Sequence, residues 1–257
     1  MSWFPIIVIG LCLGSFATVL AARVSVGESV VAPRSACRSC NTQLRWFELI
    51  PVFSYLVLGG RCRTCGVRIG IAYPCIEVAT MALFWFAWWY AGPTFVGLAL
   101  AGLAVIGPPL TYIDLREQRL PNVLTGAGFL WMIGCAVADA VFTQDGHRLP
   151  IALLSGASAI LLMLMLAIVS RGGMGMGDVK LAGVIGLGTG LFGWMTTAAA
   201  IGWAFVLGAG IGVALMVVGR AGRRTALAFG PMLIAGAWLA LLTGINPLLV
   251  FGASIGS

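Results

Sequence analysis

Eight long apolar runs constrain this chain more than any other feature of its sequence. They fall at about residues 3–22, 74–91, 94–113, 122–142, 150–169, 181–197, 199–218 and 229–250. An α-helix needs about 20 apolar residues to cross the hydrocarbon core of a bilayer. Only 9% of the residues are charged, whereas a soluble domain carries about 25%. The sequence therefore predicts an all-α polytopic membrane protein with about eight transmembrane helices.

The distribution of basic residues predicts how these helices are oriented, because cytosolic loops are enriched in Lys and Arg. If the N-terminus lies outside, the cytosolic segments are 23–73, 114–121, 170–180 and 219–228, and they hold 14 of the 15 basic residues. The first run ends in "VLAA", which resembles a signal-peptide cleavage site, but no basic residue precedes it, so we expect a retained helix. A basic rim facing anionic lipid accounts for the net charge of +7, and no nucleic-acid partner is expected.

The segment 23–73 is the only sizeable stretch between apolar runs, and it contains two Cys-x-x-Cys pairs. The pairs are "CRSC" and "CRTC", formed by Cys37, Cys40, Cys62 and Cys65. Four thiolates at such spacing can close a tetrahedron around zinc, and a closed set leaves no open position for a catalytic water. A reducing cytosol argues against disulfides, and so small a domain gains stability from a metal. We expect a structural zinc site; redox-active dithiols and unligated cysteines are the alternatives.

Two acidic residues lie at predicted cytosolic helix ends, where an ionisable group is costly and is therefore a candidate for function. Asp114 closes the third run in "LTYIDLREQRLP", and Asp178 precedes the sixth in "GGMGMGDVKLAG". A helix bundle can bring the two together at one depth, although they are 64 positions apart. The chain has a single histidine, His147, and that residue is predicted to lie outside. These facts exclude a His-based zinc protease and a cytosolic serine triad.

Two neighbouring carboxyl groups favour a different chemistry. They cannot both ionise easily, so one keeps a proton as general acid while the other activates water as general base, which suffices to hydrolyse an amide. A position at a helix N-terminus favours the anion at Asp178, and a position near a helix C-terminus favours the proton at Asp114. The glycines before Asp178 would let an extended peptide approach it.

Other interpretations of the two acids remain open. Asp178 is well placed to act as an ordinary helix N-cap. Asp114 could be an ordinary polar residue at the point where a helix leaves the membrane. A transporter would use both acids as a proton relay, and a scaffold protein would recruit partners through its cysteines and need neither acid.

Several segments of the chain carry a resemblance to a known family. They are "GLCLGSFATVLAARV", "GESVVAPRSACRSC", "LRWFELIPVFSYLVLGGRCRTCGVRI", "YPCIEVAT", "DLREQRLPN", "GMGMGDVKLAG" and "AFGPMLIAGAW". With them the chain resembles the bacterial prepilin peptidases, membrane aspartic peptidases that process type IV prepilins and related pseudopilins.

The resemblance implies that Asp114 and Asp178 are the catalytic pair and that the four cysteines named above bind zinc. It implies cleavage of a short basic leader, typically after glycine, at the cytosolic face of the inner membrane. Prepilins, pseudopilins and membrane lipid are then the expected partners. The expected organisation is a first transmembrane helix over 1–22, the zinc module over 23–73 and a transmembrane aspartic peptidase domain over 74–257.

Many members of that family go on to N-methylate the new N-terminus with S-adenosylmethionine. This cofactor rests on the resemblance alone, and a peptidase without methyltransferase activity is the alternative. The chain departs from the family's pattern at Arg38, where proline is frequent, and at Ala72, where arginine commonly precedes "YP". It also has "RVS" where Arg-Leu-Pro is common. These departures lie around the cytosolic module, so they bear on methylation and substrate docking rather than on the aspartates.

Overall fold

The computed structural model describes residues 3–143, 146–170, 174–219 and 228–244. Within them nine α-helices follow one another: α1 Phe4–Arg23, α2 Phe53–Val57, α3 Ala72–Ala91, α4 Phe95–Glu117, α5 Asn122–Phe142, α6 Arg148–Val169, α7 Met176–Gly190, α8 Trp194–Val217 and α9 Gly230–Thr243. Short 3-10 helices occupy Val24–Val26 and Trp46–Leu49. The described ranges contain no β-strand, only two isolated β-bridges. The predicted all-α fold is confirmed.

Each of the eight predicted apolar runs overlaps one of the eight longer helices, and α2 is a short helix inside the cysteine module. Five helical segments are long and apolar enough to cross a membrane: Phe4–Val26, Phe95–Glu117, Asn122–Phe142, Arg148–Val169 and Trp194–Val217. Helix α7 has only 15 residues, α9 has 14, and α3 carries Glu77 in its second turn. The described part of the chain therefore gives five candidate spans, and the expected count of eight is not established.

Some sequence-based expectations concern residues outside the described ranges. They include the end of the last apolar run at 245–250 and the glycines that begin the run before Asp178. Four basic residues used to orient the helices also lie outside: Arg171, Arg220, Arg223 and Arg224.

Helix α7 lies at the centre of the bundle and is buried along almost its whole length from Asp178 to Gly190. Its glycines explain how neighbouring helices approach it so closely. A Cβ added to Gly186 would stand 2.8 Å from the backbone oxygen of Ser155 on α6, and one added to Gly190 would stand 2.7 Å from the Ser155 Cβ. The glycines of this apolar helix therefore serve close helix packing.

Helices α1 and α3 pack against each other and hold the two ends of the cysteine module together. The chain leaves α1 at Arg23 and enters α3 at Ala72. A Cβ added to Gly14 on α1 would stand 2.7 Å from the backbone oxygen of Glu77 on α3. This close approach fixes both chain ends of the module at one end of the bundle.

Candidate functional site

Asp114 lies in the last turn of α4 and is 4% exposed. Its Oδ2 accepts a hydrogen bond of 2.9 Å from the backbone N–H of Gly230, the first residue of α9. A Cβ added to Gly230 would stand 2.7 Å from the same oxygen. Only glycine therefore lets the N-terminus of α9 approach this carboxylate. Sequence analysis missed Gly230, although a glycine and Pro231 at the start of an apolar run are a recognisable helix start.

Asp178 lies in the first turn of α7 and is 8% exposed. The N-cap of that helix is Gly175, whose backbone is extended, so Asp178 does not occupy the N-cap position that the sequence suggested as an alternative. The backbone N–H of Asp178 donates to the carbonyl of Gly175 at 3.1 Å. A Cβ added to Gly175 would stand 3.6 Å from Asp178 Oδ2, so the missing side chain leaves this edge of the carboxylate open. Gly172 and Gly173 lie outside the described residues.

The two carboxyl groups meet at one end of the bundle, around Leu120. A Cβ added to Gly177 would stand 2.9 Å from the Leu120 Cβ, and one added to Gly230 would stand 3.3 Å from its Cδ2. Leu120 thus lies between the start of α7 and the start of α9. Asp114 and Asp178 are close enough to interact electrostatically. Two carboxylates brought near each other away from water repel, which favours a state with one proton on the pair.

The electrostatic surroundings of the two acids differ from the sequence-based expectation. Asp114 does lie near the C-terminus of its own helix, but the N–H of Gly230 brings it the N-terminus of α9. Both carboxylates therefore face the positive end of a helix dipole. The prediction that Asp114 carries the proton depended on only one of the two acids facing a helix N-terminus. Because both do, the helix dipoles no longer distinguish them.

Polar contacts tie the connecting loops around this site. Lys180 Nζ donates to Asn122 Oδ1 at 2.8 Å, which joins the second turn of α7 to the first residue of α5. Arg119 pairs with Glu117 at 2.6 Å and also donates to the backbone oxygen of Ser25. The aspartate end of the bundle is therefore connected to the turn that opens the cysteine module.

The four predicted cysteines form a compact cluster. The Sγ atoms of Cys37, Cys40, Cys62 and Cys65 all lie within 4.8 Å of one another. Cys37 and Cys65 are 3.8 Å apart, and Cys40 and Cys62 are 3.9 Å apart. A tetrahedral zinc with Zn–S bonds of about 2.3 Å requires sulfur pairs about 3.8 Å apart. All four thiols are free rather than disulfide-bonded, and together they can hold a metal ion.

The cluster is built from two knuckles with the same backbone pattern, a duplication that sequence analysis missed. In the first, the Cys37 N–H donates to Thr42 O at 3.0 Å and the Asn41 N–H donates to Cys37 O at 2.8 Å. In the second, the equivalent bonds run from Cys62 to Val67 and from Gly66 to Cys62, both at 2.9 Å. The residue after each second cysteine has a positive φ, 54° at Asn41 and 70° at Gly66. The shared signal in the sequence is only "CRSCN" against "CRTCG".

The thiols of the cluster differ in acidity. Hydrogen bonding to Thr42 lowers the pKa of Cys40 to about 6, and the backbone amides of Cys65 and Thr64 lower the pKa of Cys62. At Cys65 the amide of Val67 favours the thiolate, but desolvation and the neighbouring thiols raise its pKa to about 11. Four negative charges so close together repel, and a bound cation offsets that repulsion.

Two glutamates fasten the module. Glu48 accepts from the backbone N–H of Arg45 at 2.8 Å and pairs with Arg63 at 3.3 Å, and these two contacts lower the pKa of its carboxyl group. Glu77 on α3 accepts from the backbone N–H of Val52 at 2.7 Å. Glu48 thus links the segment between the knuckles to the second knuckle, and Glu77 links it to the bundle.

A cavity of about 480 Å³ lies at the opposite end of the bundle, lined by residues that include Thr94, His147 and Gly190. Gly190 is the last residue of α7, about 18 Å along the helix axis from Asp178. Near this end, Arg148 pairs with the buried Asp139 at 3.5 Å. The cavity is therefore separate from the aspartate site.

Comparison with known families assigns almost the whole chain. Residues 8–91 match the bacterial peptidase A24 N-terminal domain, and residues 98–255 match the type IV leader peptidase family. The first match contains the cysteine cluster, and the second contains both aspartates and Gly230. No solved structure matches the chain significantly.

Individual relatives are similar over most of this chain. It is 37% identical over 229 residues to the prepilin leader peptidase/N-methyltransferase of Myxococcus xanthus, covering 85% of this chain and 64% of that protein. The protein of the same name from Bacillus subtilis is 33% identical over 240 residues, with 92% of each chain covered. The one from Pseudomonas aeruginosa is 33% identical over 217 residues, covering 84% of this chain and 73% of that protein. This chain thus spans less than two thirds of the Myxococcus relative.

Proposed function

Because the chain belongs to the type IV leader peptidase family, we propose that it cleaves the short basic leader from type IV prepilins and pseudopilins at the cytosolic face of the cell membrane. The observation that carries the proposal is the meeting of Asp114 and Asp178, two buried carboxyl groups from α4 and α7, at one end of the bundle. Their position at helix ends fits a peptidase better than a proton-coupled transporter, whose ionisable groups lie near the bilayer midplane.

The proposed reaction uses the two acids and one water. The ionised carboxylate takes a proton from the water while the water oxygen attacks the scissile carbonyl. The protonated carboxyl group then donates its proton to the leaving amine. The products are a leader with a new carboxylic acid group and a pilin with a free amine, and one proton remains on the pair. The N–H of Gly230 fixes the orientation of Asp114 during both transfers.

The surroundings of Asp178 suit a peptide substrate. Gly175 presents no side chain beside the carboxylate, so an extended backbone can lie against this turn. A basic leader that stays in the cytosol and an apolar pilin segment that enters the bilayer would place the scissile bond at the depth of the helix ends. We therefore place the active site at the cytosolic face of the inner membrane, with the N-terminus outside.

We also propose that Cys37, Cys40, Cys62 and Cys65 bind one structural zinc ion. The sulfur separations match a closed tetrahedral set. When bound, zinc would supply stability to the small module. The corresponding division of the chain is a first transmembrane helix over 1–22, the zinc module over 23–73 and the peptidase domain over 74–257.

N-methylation of the new N-terminus with S-adenosylmethionine is the second proposed activity, and it is supported by the names of the relatives. The small cavity beneath the module, which Tyr73 and Tyr112 help to line, has a volume of about 10 Å³. It has room for one water molecule and does not fit this cofactor. We assign no residues to the methyl donor, and a peptidase without this activity is the alternative.

The test is co-expression with a prepilin whose basic leader ends in glycine, followed by mass spectrometry of the pilin N-terminus. We expect Asp114→Asn and Asp178→Asn each to abolish leader removal at normal membrane levels. Glu117→Gln is the matched control, because it makes the same change at a partly exposed acid one turn from Asp114, and it should retain cleavage. Cleavage by either aspartate variant near the wild-type rate would disprove the pair. An added methyl group on the product would separate the two-activity enzyme from a peptidase alone.

A further inference from the structure

Residues 46–57, which we call the apolar segment, expose much apolar surface although they lie outside the long helices. Six large apolar side chains in it are exposed: Trp46, Leu49, Ile50, Phe53, Leu56 and Val57. The segment consists of the 3-10 helix Trp46–Leu49 and the short helix α2. In α2, the exposed residues Phe53, Leu56 and Val57 follow one another at i, i+3 and i+4, the spacing of one helix face. In the first half, Trp46 and Leu49 lie one turn apart in the 3-10 helix, and Ile50 follows it directly. A contiguous apolar surface of this kind marks an interaction site.

The inner side of the apolar segment packs on the second cysteine knuckle. Arg63, inside that knuckle, pairs with Glu48 at 3.3 Å and lies over the ring of Phe47, 5.8 Å from its centroid. The Tyr55 hydroxyl donates to the backbone oxygen of Ile69 at 3.4 Å. The exposed apolar side chains therefore face away from the metal cluster, and the described residues leave them uncovered.

The depth of the segment follows from its attachment to α3. The Val52 N–H donates to Glu77, and the backbone of Glu77 packs against Gly14 of α1. Gly14 lies nine residues before Arg23, the last residue of α1, which is about 13 Å along the axis. Val52 is thus held within one glutamate side chain of the contact between α1 and α3. The segment lies beside the last turns of α1 and not beyond its end.

The charge around the segment suits an anionic membrane surface. Residues 23–71 contain seven arginines and two glutamates. Arg45 and Arg61 are exposed and flank the segment, where their guanidinium groups can reach lipid phosphates while the stems stay in the apolar region. Tryptophan is the residue most typical of this depth in a bilayer, and Trp46 is 75% exposed.

We propose that the apolar segment lies in the cytosolic interface of an anionic bilayer, with Trp46, Phe53 and Leu56 inserted below the headgroups. Apolar side chains, flanking arginines and depth on α3 together favour lipid over the apolar helix of a protein substrate. The cysteine module then contacts the membrane directly through the apolar segment. It is not a cytosolic domain attached only through its chain connections to α1 and α3. This inference does not depend on the proposed peptidase activity.

Fluorescence quenching of Trp46 tests the proposal in the full chain. Wild type and Trp46→Phe are reconstituted into vesicles of phosphatidylglycerol and phosphatidylcholine brominated on its acyl chains, and the difference between their emissions isolates Trp46. Phenylalanine keeps the site apolar. Trp131→Phe is the reference, because Trp131 is 47% exposed on the candidate span α5 and its emission should be quenched by the bromines.

We expect the brominated lipid to remove most of the Trp46 emission and aqueous acrylamide to remove little of it. Quenching by acrylamide but not by brominated lipid would overturn the proposal. Protection from acrylamide that appears only after addition of a peptide with a prepilin's apolar segment would also overturn it, and would assign the surface to the substrate.

A charge placed on the surface gives an independent test. Phe53→Asp should make Trp46 accessible to acrylamide while the zinc content stays unchanged, which shows that the module remains folded. Val31→Asp adds the same charge at a residue that is 88% exposed in the same module but outside the apolar segment. It should leave Trp46 protected. Equal protection of Trp46 in both variants would contradict insertion through this surface.

Discussion

Val52 and Glu77 join the cysteine module to the bundle through one hydrogen bond, in which the Val52 N–H donates to Glu77 Oε2 at 2.7 Å. Val52 makes this bond from a backbone with φ 60° and ψ −48°. A β-branched residue rarely adopts a positive φ, because its side chain crowds the backbone. The contact that positions the module is therefore made by a strained residue.

The strain at Val52 predicts that Val52→Gly stabilises the module. Glycine accepts a positive φ without steric cost and keeps the N–H that binds Glu77, so we expect a gain of about 1 kcal/mol in the free energy of unfolding of the module. The measurement is zinc release during denaturant titration of the full chain. Val31→Gly is the control, since Val31 is in the same module and is not among the residues with positive φ. If Val52→Gly lowers the free energy of unfolding of the module as much as Val31→Gly does, the backbone of Val52 is not strained.

The contact between Gly230 and Asp114 predicts a large effect of Gly230→Ala on leader cleavage. The added Cβ would stand 2.7 Å from Asp114 Oδ2, so the carboxylate must move and lose its N–H donor. We expect cleavage to fall by about 10²-fold or more, as when a catalytic group is displaced by an ångström. Gly134→Ala makes the same change where no atom lies within 4 Å of the new Cβ, and it should cleave normally. Normal cleavage by Gly230→Ala in a rate assay would rule out the positioning role.

The cysteine cluster predicts a metal content that depends on all four thiols. Cys62 is the most buried of them, and Cys62→Ser should reduce zinc from one ion per chain to nearly none, because a structural site rarely survives the loss of a thiolate. Cys75→Ser should leave the zinc content unchanged, since Cys75 is an exposed thiol outside the cluster. Elemental analysis of purified protein measures both, and equal zinc in the two variants would argue against the site.

The packing of α7 on α6 predicts that Gly186→Ala destabilises the bundle. The new methyl group would meet the backbone oxygen of Ser155 at 2.8 Å, and backbone yields less readily than a side chain. We expect a loss of about 1–3 kcal/mol, seen as a lower melting temperature in detergent. Gly212→Ala on α8 places a methyl group with nothing within 4 Å. That control should melt at or above the wild-type temperature, since alanine favours a helix.

The sequence was most informative about helices, because a membrane span needs a minimum apolar length that a hydropathy pattern displays directly. Helix ends were predicted less well. The sixth run was expected at 181–197, but α7 covers Met176–Gly190 and ends before Gly193, whose φ of 115° marks a break within a continuous apolar stretch. Hydropathy does not change at that break. Asp178 consequently lies inside the helix rather than before it.

In the candidate site, too, features that depend on residue type or local spacing were predicted, whereas features that depend on contacts between distant residues were missed. Asp114, Asp178 and the cysteines were found because their residue types are unusual in an apolar chain or are spaced as metal ligands. Gly230 was missed because its importance arises from a contact across 116 positions of sequence. The similarity of the two knuckles was missed because it resides in backbone hydrogen bonds that different side chains share.

The aspartate site is built from three helices, so it can form only after the last of them, α9, has been synthesised. Asp114, Asp178 and the N–H of Gly230 leave the ribosome in that order, and the last follows the first by 116 residues. During insertion, each newly made chain therefore carries an acid without its partner and then a pair without its backbone donor. A chain that stalls before α9 would hold both acids without this backbone donor, and under the proposed mechanism we expect it to leave prepilins uncleaved.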